Sequence, residues 1–188
     1  GLGSGSSDAA ATIRLLVELW NLRVPEADLI ALAADVGSDV PSFLWETATY
    51  AEGRGELLSR LLCADGSAYT FPFHLVVVVP PIHVSSAEAY QLVNPQDTTR
   101  PSLPDLVCTN DLALWSEELV NDFEGPVLTR HPEIGVIKQR LIDLGAGFAS
   151  LSGSGSAVYG VFESANSANL AAAAAAFMGM RVWRGRAC

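Results

Sequence analysis

The sequence predicts an α+β chain in two parts, and three observations predict it. Helical periodicity dominates residues 8–36, where Ile13, Leu16, Val17 and Trp20 recur at i, i+3, i+4 and i+7, and Leu29, Leu32 and Ala33 give a second helix its buried side. The run Leu75-Val76-Val77-Val78-Val79, closed by Pro80-Pro81, is the pattern of a buried central strand. After it the order strand, helix, further helices, strand, strand, helix, strand is that of a split βαβ unit carrying an insertion. A boundary near residue 70 follows, separating parts 1–70 and 71–188.

Each element has a local reason. Gly1-Leu2-Gly3-Ser4-Gly5-Ser6-Ser7 is a loop that runs into helix 8–20, with Ser7 or Asp8 placed to cap it. Pro25-Glu26-Ala27-Asp28 starts helix 26–36 with proline and two acids in its first turn, and Gly37 stops it. Pro41 biases Val40 away from the helical region and so puts Asp39 on a constrained turn; on spacing alone, capping is the commonest job for an Asp there. Strand 48–52, a turn at 53–55, a strand or short helix over 56–62 and a turn at 65–67 complete the first part. In the second part come strand 73–79, helix 86–93, a Pro/Asn/Asp/Thr loop 94–104 and helix 105–120. Helix 126–144 follows with an interruption at His131-Pro132, then strands 147–151 and 156–162, helix 165–178 and strand 180–184. The alanine run 171–176 has high helix propensity and suits close packing on a sheet.

Composition narrows the function classes. The formal net charge is −10 and the eleven Lys and Arg residues form no stripe, which argues against nucleic acid or an anionic membrane surface as partner. The longest apolar runs, Leu75 to Ile82 and Leu170 to Met178, are too short to span a bilayer, and no basic-then-apolar leader opens the sequence. A cytoplasmic location is therefore expected. Three widely spaced cysteines, Cys63, Cys108 and Cys188, without CxxC or neighbouring histidines, read as reduced thiols and not as a zinc site. An anionic ligand must be held locally against this overall charge.

The opening loop is suited to that task. A helix N-terminus has amides without helical partners and the positive end of the macrodipole, and glycines let the preceding backbone fold into a nest of donors. The hydroxyls of Ser4, Ser6 and Ser7 add donors or a magnesium contact. The loop is not a Walker A motif, since Gly-Lys-Ser/Thr is absent, and Ser6 occupies the third glycine position of the dinucleotide fingerprint. A Gly/Ser linker is the bland alternative, less consistent with a loop that flows in register into an amphipathic helix. A second nest, Leu151-Ser152-Gly153-Ser154-Gly155-Ser156-Ala157, would alone read as a hairpin turn. Two nests in one chain point to a polyphosphate, or to a nucleotide and its acceptor.

These residues carry a family likeness. Gly1 through Ala10 resembles the phosphate loop of the GHMP kinases (galactokinase, homoserine, mevalonate and phosphomevalonate kinases), and Ser152 through Ser156 resembles their third glycine-rich motif. Gly37 through Phe43, Tyr50 through Glu56 and Asn121-Asp122-Phe123-Glu124 look like segments of the branch acting on 4-diphosphocytidyl-2-C-methyl-D-erythritol. The resemblance implies the second part of a ribosomal-S5-domain-2-like ATP-binding half in 1–70 and a ferredoxin-like C-terminal domain in 71–188, with the site between them. It implies ATP and Mg2+, phosphorylation of the cytidylyl-methylerythritol 2-hydroxyl in the non-mevalonate isoprenoid pathway, no nucleic-acid or membrane partner, and a monomer or homodimer. Gly1, Leu2, Gly3, Ser4, Gly5, Ser6 and Ser7 would hold the ATP phosphates, and Asp39 would be the catalytic base, which displaces the capping role. Ser86 and Tyr90 would lie near the cytidine, with Tyr90 stacked on the base, and Gly153, Ser154 and Gly155 would meet the substrate. Asn121-Asp122 has no derivable chemistry and reads as structural. The family's N-terminal strands and Pro-Ala-Lys segment have no counterpart here, so an incomplete, weakly active or inactive part is expected. The alternatives are another GHMP kinase of homoserine or mevalonate type, or a non-catalytic nucleotide-binding relic.

Overall fold

The computed structural model describes residues 2–45, 47–53, 55, 57–93, 100–176 and 179–186. The chain divides into two compact units, one from Gly3 to Thr70 and one from Phe71 onward that also takes in Leu2.

In the first unit, α1 (Ser4–Leu19) and α2 (Glu26–Val36) are followed by a single 3-10 turn, Pro41–Phe43, and by the hairpin β1 (Thr49–Glu52) and β2 (Leu57–Arg60). The hairpin pairs antiparallel, with Thr49 opposite Arg60 and Glu52 opposite Leu57, so the stretch left open between strand and helix is a strand. Ala10, Ala33 and Val40 form a small core, with Ala9, Ile13 and Leu44 packed on it. Glu26 ties α2 to the following segments, accepting from Trp45 Nε1 at 2.7 Å and from Arg60 at 3.0 Å. Two expectations are corrected. The helix begins at Ser4, inside the glycine-serine stretch, because Gly3 alone supplies the left-handed turn (φ 60°) that launches it. The apolar stripe is also shorter than its periodicity implies: Trp20 is 61% and Leu32 52% exposed, so Ala10 and Ala33 face the core while the large residues flank it.

The second unit is a four-stranded sheet in the order β4-β5-β3-β6, built from β3 (His74–Val79), β4 (Phe148–Leu151), β5 (Val158–Phe162) and β6 (Arg181–Gly185). All neighbours are antiparallel: Val78 lies opposite Val158, Val79 opposite Arg181, and Leu151 opposite Val158 on the other side of β5. With its helical crossovers this is the ferredoxin-like order. Strand alternation builds two cores. Val76, Val78, Val158 and Phe162 pack with Ile134, Ile137, Leu141 and Ala171, whereas Phe73, Phe148 and Val161 pack with Leu106, Leu112 and Trp115. The helices are α3 (Ser86–Leu92), α4 (Leu103–Cys108), α5 (Leu112–Glu118), α6 (Glu124–Arg130), α7 (Pro132–Asp143) and α8 (Ala165–Ala176).

The single helix expected over 105–120 is two. Asn110 adopts φ 52° and ends α4, and Asp111 caps α5 by accepting the amides of Ala113 and Leu114. The interruption expected at His131-Pro132 is present, as the junction of α6 and α7. Reduced thiols are corrected for two of the three cysteines: Cys63 and Cys108 are each disulfide-bonded. No helix among the described residues is long and apolar enough to cross a membrane.

Candidate functional site

In the first unit the glycine loop is the N-terminus of α1 itself. The first internal helix bond runs from the Ser7 amide to the Gly3 carbonyl at 2.9 Å, so the Ser4, Gly5 and Ser6 amides precede any helical partner. No side chain caps this end and no acid lies in its first turn, and among the described residues a Cβ at Gly5 would meet nothing beyond the helix's own backbone within 4 Å. Sixteen residues of helix put their dipole behind these donors. At Gly3 a Cβ would come within 3.1 Å of the Phe43 ring, so glycine is required for close approach as well as for the positive φ.

That contact brings the Asp39 turn to the loop. Val40 plugs into the Ala10–Ala33 core, its amide bonding the Gly37 carbonyl at 3.1 Å, and Ser42 Oγ donates to the Asp39 carbonyl at 2.7 Å. Asp39 itself is exposed, and its carboxylate accepts from Ser38 Oγ at 3.3 Å. It does not cap the 3-10 turn, whose first residues have no side-chain cap. The capping role favoured by spacing is thereby corrected: the backbone of this turn is held and the carboxylate is left to face outward. Leu2 is exposed, and Gly1 falls outside the described residues.

In the second unit the turn between β4 and β5 is clamped from several sides. Gly153 and Gly155 have φ 55° and 89°, and a Cβ on Gly155 would stand 3.0 Å from Leu151 Cδ1. The Ser86 and Ser154 hydroxyls, both named from the sequence, are hydrogen-bonded to each other at 2.9 Å. Ser156 Oγ donates to the Ile82 carbonyl at 2.5 Å. Tyr90, 70% exposed on α3, packs edge-on against Phe123 with ring centroids 4.9 Å apart.

The segment Asn121-Asp122-Phe123-Glu124 joins these parts. Asn121 Nδ2 donates to the carbonyls of Leu151 and Gly153, both at 2.9 Å, and Asn121 Oδ1 accepts the Phe123 amide at 2.9 Å. Glu124 Oε1 takes the Leu151 amide at 2.8 Å and Ser150 Oγ at 3.0 Å, while Oε2 takes Lys138 Nζ at 2.5 Å. Neutral bonds of this kind are worth about 1 kcal/mol each, and those to a charged partner more. Burial raises the Tyr159 phenol above its ordinary range; the Ser150 bond opposes that and the Glu124 charge adds to it. Asp122 faces Arg100 in a two-bond pair at 3.0 and 2.6 Å, and that hydrogen bonding holds its carboxyl below the usual range. An open cleft of about 420 Å³ runs beside the turn, lined by Val107, Leu119, Asn121, Phe148, Ser152 and Gly153 among others.

From the sequence Asn121-Asp122 reads as structural, and Glu124 enters only through its place in the segment Asn121-Asp122-Phe123-Glu124. One local signal was available, since an Asn whose side chain accepts from the amide two residues on is a recognisable turn former. The bonds that matter reach thirty residues along the chain, and no spacing rule shows them. No group of three His, Cys, Asp or Glu side chains arranged to hold a metal is found among the described residues.

Comparison with known proteins fits this arrangement. The family described as "GHMP kinases N terminal domain" matches residues 1–47, and "GHMP kinases C terminal" matches residues 102–179. A 4-diphosphocytidyl-2-C-methyl-D-erythritol kinase of Salinibacter ruber is 46% identical over 172 residues, covering 91% of this chain and 60% of the relative. One of Chlorobium phaeobacteroides is 43% identical over 180 residues, covering 92% and 60%. The chain thus spans about 60% of the length of the curated relatives it matches. A crystal structure of a 4-(cytidine 5'-diphospho)-2C-methyl-D-erythritol kinase superposes with TM-score 0.76 at 34% identity, over 97% of this chain and 64% of that one. A homoserine kinase from Cytophaga hutchinsonii superposes with TM-score 0.74 over all of this chain and 65% of that one, at 16% identity, a likeness of fold alone. With both halves matched in family order, the chain belongs to the GHMP kinases.

Proposed function

We propose that the protein is an ATP-dependent small-molecule kinase that phosphorylates the 2-hydroxyl of 4-diphosphocytidyl-2-C-methyl-D-erythritol. The observation that carries the reading is the seating of the Asp39 turn on the glycine loop, Phe43 against Gly3 and Val40 in the core beneath α1. It keeps an outward carboxylate and a row of open amides in one small unit. Identity of 40% or more to relatives named for this substrate supports the choice of acceptor. The division into an ATP-binding part, 1–70, and a C-terminal domain, 71–188, belongs to the same proposal.

In this reading the amides of Ser4, Gly5 and Ser6 and the loop around Leu2, Gly3 and Ser7 hold the nucleotide phosphates. Gly1 belongs to the same loop in the proposal. The uncapped, acid-free helix end fits a polyanion. Magnesium, when bound, neutralises charge between phosphate oxygens; the serine hydroxyls are hard oxygen donors of the kind it takes. Asp39 accepts the proton of the acceptor hydroxyl as that oxygen bonds to the γ-phosphorus. The bond from the γ-phosphorus to its bridging oxygen breaks, and ADP leaves with the electron pair. Ser86, Tyr90, Gly153, Ser154 and Gly155 bind and orient the acceptor, Tyr90 offering its exposed ring to the cytosine.

The test is ATP consumption dependent on 4-diphosphocytidyl-2-C-methyl-D-erythritol, measured on the protein expressed from its full reading frame. Asp39→Asn is expected to lower kcat about a hundredfold or more and to leave ATP binding intact. A parent protein that binds ATP but ignores this acceptor refutes the substrate; an Asp39→Asn variant with normal turnover refutes the base.

A further inference from the structure

The strongest unassigned feature is the fork at Asn121. A carboxamide nitrogen has two hydrogens, and here both go to carbonyls of one turn, Leu151 and Gly153, while the carboxamide oxygen accepts the Phe123 amide. Every polar atom of the side chain is engaged. Two carbonyls drawn to one nitrogen turn the intervening peptides, and among the described residues neither the Gly153 nor the Ser154 amide finds an acceptor. The turn's other anchors leave those two amides alone: Ser152 N bonds the Ala157 carbonyl at 2.8 Å, Gly155 N the Ser152 carbonyl at 3.0 Å, and Leu151 N the Glu124 carboxylate. Gly153 is exposed and Ser154 8% exposed, and backbone donors on a turn with two positive-φ glycines are of the kind that takes an anionic oxygen.

We infer that Asn121 is a positioning residue that fixes the glycine-rich turn 152–156, so that the Gly153 and Ser154 amides are presented to an anionic oxygen of the acceptor. Glu124 serves as the second anchor at the base of the same turn, its charge balanced by Lys138. Phe123, between the two anchors, supports Tyr90, so one four-residue segment sets both the turn and the aromatic ring of α3. The role in acceptor binding rests on the kinase reading above; the clamp on the turn does not.

Asn121→Asp separates the clamp from the local turn. The aspartate still accepts the Phe123 amide but places an acceptor where two carbonyls need a donor. Asn121→Ala removes both functions, and Asp122→Asn, which weakens the Arg100 pair in the same segment, is the control. Amide exchange is read first, on the full-frame protein. Asn121→Asp is expected to lower protection of residues 151–157 about tenfold, with β3 and α7 protected as in the parent and Asp122→Asn unchanged. Equal protection of 151–157 in Asn121→Asp overturns the clamp whatever the activity. Kinetics come second. Asn121→Asp is expected to raise KM for 4-diphosphocytidyl-2-C-methyl-D-erythritol about tenfold with KM for ATP within twofold, and parallel changes in both overturn the acceptor role. If the parent does not use this acceptor, the kinase reading fails by itself while the exchange result still decides the clamp. If Asn121→Ala fails to fold, Asn121→Asp still decides.

Discussion

Tyr69 shows how a single buried side chain becomes a statement about the chain's stability. It is 7% exposed, and burial pushes its phenol up to about 12. Because the folded value exceeds the unfolded value near 10, the folded state resists ionisation. Its contribution is fully present below pH 10 and is lost as pH rises from about 10 to about 12. Unfolding free energy measured in urea should fall by about 2 kcal/mol over that window, and Tyr69→Phe should remove most of the slope. An unchanged slope in Tyr69→Phe would assign the loss to other groups. Asp39 stands at the other extreme, exposed and held through its backbone, so its replacement by asparagine is expected to alter turnover and leave the melting temperature nearly unmoved.

At the scale of elements, α6 and α7 are joined to β4 through Glu124, Lys138 and Ser150. Lys138 and Glu124 side chains are 31% and 19% exposed, so the carboxylate is only partly hydrated. Lys138→Met should therefore cost about 2 kcal/mol in chemical denaturation, and adding Glu124→Gln should recover most of it, since the neutral amide oxygen still takes the Leu151 amide. Full loss persisting in the double variant would show that the lysine acts through packing. The same elements show what the sequence made legible. Strand β3, the helix start at Pro25, the helix end at Gly37 and the break at Pro132 rest on rules that act within a few residues, and each falls within a residue or two of its expected place. Asn110 and Asp111 divide α4 from α5 by the same kind of local rule, overlooked beneath a continuous apolar periodicity. Ser86 and Ser154 were named separately from the sequence, and their mutual bond emerges only when β3, α3 and the β4–β5 turn assemble. Asn121 was out of reach because its partners are chosen by sheet topology.

For the molecule as a whole, a net charge of −10 is a self-repulsion spread over 188 residues. Raising monovalent salt from about 10 to about 150 mM shortens the screening length from about 30 to about 8 Å. That distance spans diffuse repulsion but still exceeds the contact separations of Arg100–Asp122 and Lys138–Glu124. The melting temperature should rise by a few degrees across this range, and a fall would mean that attractive pairs dominate the balance. The sheet's β6 edge carries a different safeguard. Paired on one side with β3, β6 ends the sheet, and along it Trp183, 52% exposed, sits between Val182 and Arg184, with Arg181 at the start. An open strand with an exposed indole is a template for docking another strand, and from there for fibrous aggregation. The exposed Arg181 and Arg184 put charge on both faces of this border, and charge on an edge strand disfavours such addition. Charge placed on an exposed border thus works against that border being extended by another strand.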